Sequence, residues 1–383
     1  MPTYNVKRFG DPDALKRMQQ LHLIALLRPY QDYFARRGLA LPAGDDAKVN
    51  HARLAEILLT PDDDLPSGLV DMLYYVDEMA TQEGLDALLA AAAAAKVVLD
   101  GTLESPADVA AQVWLKNPKL LERKHAEQTI RNRRSFEYFQ ARECPGQEVH
   151  PSQDALEAIE VTLGAWFDTK KRGRGCRVFA YPREDGMSFL VRHGDPYKRE
   201  GSLKGRESSS VYYRPEKHDV VIYHQAFGEL RINADPKGVK DQYRAAFGRY
   251  LFGDEDYFPG TAKYTLEPLR QEGKAALACT DVEGMEWVRL TEIRYFWGGA
   301  YHEIEIRRAD DLFAAMEARG MSTLPRARLI GVTFEVKFAD AKEPRKFSLW
   351  PPNIIKCTRD DDGTLIEQWL SCRGFMRGTG EDG

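Results

Sequence analysis

Lys170, Lys171, Arg172 and Arg174 surround Gly173 and Gly175, a spacing suited to holding phosphate. The cations neutralise it, and glycine lets backbone amides come close. A strand end then leads into a polar stretch, Gly194 to Ser210, that reads as a long loop bearing Lys198, Arg199, Lys204 and Arg206. Loops of that length inside a compact domain are usually functional or mobile. Earlier in the chain, Lys116 to Arg142 places Arg123, Arg131, Arg134 and Arg142 on what its pattern predicts to be one helix with Phe136, Tyr138 and Phe139. Basic side chains bind phosphates and aromatic faces stack on unpaired bases, so these segments predict a surface for DNA or RNA. A solvated helix face whose rings belong to the core, and a floppy solvated loop, are the plainer accounts of the same residues.

The charge distribution favours the binding account. The 383 residues carry a net charge of -5, yet residues 116–142 hold eight Lys/Arg against three Glu, and residues 170–206 hold eleven against four Asp/Glu. Everything else is therefore near -17. Segregation of this kind is expected where one surface meets a polyanion. An acidic protein docking on the same basic loop is the competing partner.

Two short motifs could do chemistry beyond binding. Phe189-Leu190-Val191-Arg192-His193-Gly194 resembles the Arg-His-Gly signature of the histidine phosphatase superfamily. That resemblance implies a phosphorylated His193 with the phosphate held by Arg192. The superfamily opens its domain with this strand and needs a second histidine. Here the motif lies mid-chain, and His218, His224 and His302 sit in no recognisable context. Glu335-Val336-Lys337 has the Glu-x-Lys spacing of metal-dependent nucleases of the restriction-enzyme type, in which alternate residues of one strand aim a carboxylate at Mg²⁺ and a lysine at the attacked phosphate. Those folds also need an aspartate on a neighbouring strand, and Asp310 and Asp311 read better as helix caps. A phosphoesterase or nuclease built on His193 and Arg192, or on Glu335 and Lys337, is thus the rival reading, and a binding protein without catalysis is the leading one.

Other chemistries find no support. The chain has no Walker A loop, no G-x-G-x-x-G after a strand and no G-x-S-x-G elbow. Its acidic clusters, Asp254-Glu255-Asp256 and Asp360-Asp361-Asp362-Gly363, lack the spacing of a calcium loop. The five cysteines show no C-x-x-C pair and are odd in number, which fits neither a disulfide framework nor a zinc ribbon. No metal and no cofactor is expected. The longest weakly polar run, Leu85 to Leu99, is alanine-rich and too short to span a bilayer, and the first residues lack a secretory pattern. The expectation is a cytoplasmic protein with no membrane partner.

These residues must be positioned by two kinds of element. Residues 11 to about 142 show helical periodicity: Leu21, Ile24, Leu27 and Tyr30 form one stripe, and Leu69, Leu73, Val76 and Met79 another. Asp11 and Ser105 each precede a proline, the signature of a capped helix start. Beyond Cys144 to Ser152, a break rich in proline, the pattern becomes short strands and hairpin turns. The predicted class is α+β: an N-terminal helical bundle over 1–145 and a mostly antiparallel, hairpin-rich α+β domain over 153–383. A strand-strand-helix rhythm divides the latter into sub-halves 153–260 and 270–383, without a residue-level repeat.

Val191-Arg-His-Gly-Asp-Pro-Tyr-Lys198, Tyr213-Arg-Pro-Glu-Lys-His-Asp219 and Leu349-Trp-Pro-Pro-Asn353 resemble stretches of large uncharacterised bacterial proteins of genomic islands that carry phage-defence genes. The resemblance implies a cytoplasmic sensor, adaptor or effector acting against invading nucleic acid, with a protein partner from the same locus as a further expectation.

Overall fold

A computed structural model describes residues 7–42, 49–131, 133, 135–141, 147–260, 262–298, 300–321, 323–357 and 363–377, without the side chains of Lys7, Lys204 and Thr364. The chain forms two compact units, Met1–Thr129 with Leu203–Ser209, and Ile130–Ser202 with Ser210–Gly383. The division falls before the break expected at Cys144 to Ser152, of which residues 144–146 lie outside the described residues.

The first unit is built of helices: α1 (Pro12–Leu15), α2 (Gln20–Leu27), α3 (Gln31–Arg36), α4 (His51–Leu59), α5 (Ser67–Met79), α6 (Gln82–Ala94), α7 (Pro106–Lys116) and α8 (Pro118–Arg131), which runs to the unit boundary. The Asp11 carboxylate and the Ser105 hydroxyl accept from the backbone N–H of Asp13 and Asp108, as the Asp-Pro and Ser-Pro pairs predict. Leu69, Leu73, Val76 and Met79 are all buried, whereas Leu21 of the other stripe is 54% exposed because α2 turns its neighbours His22 and Leu23 inward. The inward His22 is satisfied: its Nδ1 lies 2.9 Å from the Asp108 carboxylate, which also accepts from the Gln112 amide at 3.2 Å.

The second unit is organised on one ten-stranded sheet with strand order β2-β3-β6-β7-β1-β12-β11-β10-β8-β9. In chain order its elements are β1 (Ser135–Gln140), α9 (Gln153–Thr169), β2 (Arg177–Arg183), β3 (Gly186–Gly194), β4 (Lys198–Lys204), β5 (Glu207–Tyr213), β6 (Glu216–His224), β7 (Glu229–Asn233), α10 (Lys237–Phe247) and α11 (Glu267–Gln271). There follow β8 (Met285–Gly298), β9 (Glu303–Arg308), α12 (Leu312–Glu317), β10 (Arg328–Phe338), β11 (Arg345–Trp350), β12 (Ile354–Cys357) and α13 (Gly363–Cys372). Strands β4 and β5 form a separate two-stranded hairpin. The α+β class with antiparallel sheet is as expected, with three corrections. The helix expected through Arg142 stops at Arg131, and Ser-Phe-Glu-Tyr-Phe-Gln, an aromatic alternating run, becomes β1 instead. The loop Gly194 to Ser210 is largely the hairpin. Ala275 to Thr280, an apolar run whose pattern predicts a strand, holds instead the end of a 3₁₀ turn, Gly273–Leu277. Apart from β4 and β5, the strands of residues 153–260 and 270–383 occupy adjacent blocks of one sheet, joined through β1, which pairs antiparallel with β7 on one side and β12 on the other.

Alternation along the strands sends Phe139, Leu230 and Val221 to one face and Phe334, Phe347 and Ile355 to the other. Helices α9 and α10 cover the first face over β2, β3, β6, β7 and β1, burying Phe167, Tyr243 and Phe247. Helix α13 covers the second, where Trp369 meets Phe334 and Phe347 edge-on at 5.3 and 6.1 Å. Under α13 lies a closed ion network: Lys263 Nζ donates to Glu229 at 2.5 Å and to Glu367 at 3.2 Å, while Arg231 donates to the same two carboxylates at 2.9 and 3.1 Å. The Tyr138 ring flanks both cations, 4.2 Å from Lys263 Nζ and 5.1 Å from the Arg231 guanidinium.

On the face opposite α13, Trp350 lies flat across Gly331, and a Cβ at that glycine would meet the indole Cε3 at 2.7 Å. A ring pinned to backbone cannot yield as a flexible chain end can. Gly331→Ala is therefore expected to cost about 1–3 kcal/mol by overpacking, read as a lowered denaturant midpoint. Among the described residues no helix is long and apolar enough to cross a membrane.

Candidate nucleic-acid interface

The glycine-containing turn after α9 and the base of the hairpin form one structure. Helix α9 ends at Thr169, and Arg172 N–H returns to the Phe167 carbonyl at 2.9 Å, reversing the chain. Arg214, just past β5, donates to the Lys171 carbonyl at 3.1 Å and sets its guanidinium 4.5 Å over the Tyr197 ring. Gly194 allows this approach: a Cβ there would stand 2.6 Å from the Arg172 carbonyl oxygen and 2.5 Å from Arg214 Cδ. A Cβ at Gly173 would likewise stand 2.6 Å from the Arg214 guanidinium, so the contact this glycine permits is with arginine. Tyr197 and Tyr212 are 62% and 70% exposed, with ring centroids 6.3 Å apart.

The expected basic residues divide by what they already touch. Arg172 is half-buried, faces the Asp195 carboxylate at 3.8 Å and lies 5.8 Å over Phe167. Arg174 is paired with Asp168 at 2.8 Å. Lys170 sits 5.5 Å over Trp166. Lys171, Lys198 and Arg199 are exposed, with no ion-pair partner among the described residues. Arg206 is also exposed but lies in the hairpin tip grouped with the first unit, and the Lys204 side chain is outside the described residues. Of the earlier window, Arg123 belongs to the first unit and pairs with Glu127 at 3.4 Å, Arg131 is exposed at the end of α8, and Arg134 and Arg142 lie outside the described residues. Phe136, Tyr138 and Phe139, expected beside these arginines, are buried in the centre of the sheet and present no face to a base.

His193 is not placed for catalysis. It is 3% exposed and stacked on Phe167 at 4.2 Å, with Nδ1 2.9 Å from the Gly194 carbonyl and Nε2 3.0 Å from Asp219. Both ring nitrogens are thus engaged, leaving none to attack phosphorus. Arg192 points to the other face of the sheet, over Phe179 and 3.8 Å from Glu216. The motif's pair is split by strand alternation. Tyr243 completes the buried cluster by donating to Asp219 at 2.7 Å, and burial, then Asp219, pushes its phenol well above the usual tyrosine range. Tyr243→Phe removes a hydrogen bond to a carboxylate and is expected to cost about 1.5–3 kcal/mol, measured by equilibrium urea unfolding.

Glu335 and Lys337 share one face of β10 as their spacing requires, but Glu335 stands opposite Arg289 on β8 and Lys346 on β11. A metal site needs a second carboxylate there, and both flanking positions are cationic. Lys337 donates instead to the Phe338 and Ala341 carbonyls. Asp311 caps α12 by accepting from Ala314 N–H at 3.0 Å, as expected. Among the described residues no three His, Cys, Asp or Glu side chains are grouped to hold a metal ion. The cluster Asp360 to Asp362 lies outside the described residues. Cys176 is buried, and burial pushes its thiol up to about 12, so it is inert.

A cavity of about 540 Å³ opens between α13 and the sheet, lined by Arg133, Arg183, His224, Phe227 and Cys372 among others. Its central charges are engaged: Arg231 is bound to Glu367, and Asp185 meets both Arg183 at 2.8 Å and His224 at 3.3 Å. Burial, aided by Arg231, holds His224 below the ordinary histidine range. The hairpin base, by contrast, holds exposed basic and aromatic groups side by side. No known protein-family model matches the chain, and no curated protein matches it either.

Proposed function

We propose that the protein binds nucleic acid through the base of the β4–β5 hairpin and the Lys170–Arg174 turn. The observation that carries this reading is the exposure of Lys198 and Arg199, without ion partners among the described residues, beside the exposed rings of Tyr197 and Tyr212. Such cations engage phosphate without first breaking a folded-state ion pair. The rings, one backed by Arg214, offer stacking faces for unpaired bases. Arg172 and Arg174 are secondary contributors, since Asp195 and Asp168 already offset their charge.

The reading is of a binder, a sensor or adaptor, and not of a nuclease, because His193 is fully engaged and Glu335 is flanked by cations. The resemblance to proteins of phage-defence islands is what supports a role for such a binder in recognising invading nucleic acid. Fluorescence anisotropy of the full chain against labelled single-stranded DNA, duplex DNA and RNA at low salt tests it. Submicromolar binding to at least one is expected. Weak binding to all three would refute the reading and turn attention to an acidic protein as the partner of the basic hairpin.

A further inference from the structure

The strands β8 to β12 leave one face of the sheet open. Helix α13 covers the face carrying Phe334 and Phe347. Cross-strand register puts Arg294 and Ile306 together on the other face, along with Phe296 and Ile304, Glu335 and Lys346, and Ser348 and Lys356. Exposure shows how open it is: Arg308 and Lys346 are 67% and 60% exposed at the side chain, and Ile304 and Ile306 on the edge strand are 55% and 44% exposed.

The chemistry of this face is uneven in sign and rich in flat groups. Arg289, Arg294, Arg308, Arg328, Lys346 and Lys356 share it with Glu292 and Glu335. Glu292 is taken up by Arg294 and Arg308, and Glu335 faces Lys346 at 3.8 Å. The remaining positive charge stands out on a chain that is net negative. Each of three rings carries a cation: Arg289 lies 4.1 Å from Trp287, Arg294 4.6 Å and Lys356 5.8 Å from Trp350, and Arg328 5.0 Å from Phe296. Gly331 holds the Trp350 ring flat on the strands. Aromatic rings and guanidinium planes arrayed on an antiparallel sheet are what unpaired bases stack on, while the alternating cations meet the backbone between them. Duplex DNA buries its bases, so this arrangement favours a single strand.

We infer that the open face of β8–β12 is a second nucleic-acid surface, one selective for single strands. It rests on the reading that the protein binds nucleic acid, and it is separate from the hairpin residues. The test is photo-cross-linking of the full chain to an oligothymidylate carrying 5-iodouracil, with the linked residues mapped by mass spectrometry, alongside the variant Arg328→Glu/Lys356→Glu. Both substituted residues are exposed, so folding is expected to survive, and circular dichroism checks it. Alanine at the same two positions serves as the milder variant.

Cross-links at Trp287, Phe296 or Trp350 are expected. The reversal variant is expected to lose about tenfold in affinity for the single strand and less than about threefold for duplex. Cross-links confined to Tyr197 or Tyr212, or equal losses for both ligands, would overturn the inference while leaving the hairpin reading standing. Absence of binding by the unaltered chain would overturn both.

Discussion

Replacing Lys263 with methionine is expected to destabilise the second unit by about 3–5 kcal/mol, the usual cost of removing one partner from a buried ion network. Lys263 is 2% exposed and Glu229 fully buried, and the ammonium bonds both Glu229 and Glu367, as Arg231 also does. Without it, Arg231 alone faces two carboxylates and one negative charge is left uncompensated. The second change Glu367→Gln removes that charge, so the double variant is expected to recover part of the loss. Denaturant midpoints of the three proteins decide the matter, and a loss under about 1 kcal/mol for the single variant would contradict the network's role.

The same network sets an acid limit. Burial pushes Glu367 up, but Lys263 and Arg231 together outweigh it and hold the carboxyl below its ordinary value of 4.5. A group depressed in the folded state stabilises fully above its unfolded value and loses that contribution as pH falls through the folded one. The stability is therefore present at neutral pH and is lost as the pH falls below the ordinary value of 4.5 and through the depressed one. Lys263→Met removes the leading opposing charge, so its acid unfolding should begin at higher pH.

Reversing charge at Lys198→Glu/Arg199→Glu is expected to weaken nucleic-acid binding by about 10- to 100-fold, uniformly across sequences, and to lower the salt slope by about 2. Both residues are exposed and without ion partners among the described residues, so stability should move by no more than about 0.5 kcal/mol. Arg172 and Arg174, equally prominent in the sequence, are poorer probes. Reversing either would place two acids side by side with Asp195 or Asp168 and confound binding with folding. Unchanged affinity in a folded double variant would remove the hairpin from the interface.

How far the chain could be read depended on whether the deciding contacts were local. Asp11-Pro12 and Ser105-Pro106 announced helix starts because a cap is completed within three residues. Strands β7 and β10 were legible end to end from their own alternation and turns. Strand β1 was not, since Phe136, Tyr138 and Phe139 follow a basic helix, and what makes them a strand is pairing with Ile354–Lys356 and Glu229–Ile232, far along the chain. Short β12 went unread for the same reason. At the site, the basic charge is visible in sequence, while its neutralisation by Asp168 and Asp195 depends on the turn that brings them to Arg174 and Arg172. The open face of β8–β12 was invisible, because it arises from register: Arg289, Glu335 and Lys346 come together only across three strands. The Arg192-His193 motif misled because adjacent strand residues point to opposite faces.

The most direct test of the central claim is the salt dependence of binding, measured by anisotropy with labelled oligonucleotides over a range of salt concentrations for the unaltered chain and the Lys198→Glu/Arg199→Glu variant. The account predicts that the logarithm of affinity falls linearly and steeply with the logarithm of salt, with a shallower line for the variant. Binding that is insensitive to salt, or identical slopes for the two proteins, would contradict a phosphate-contacting hairpin.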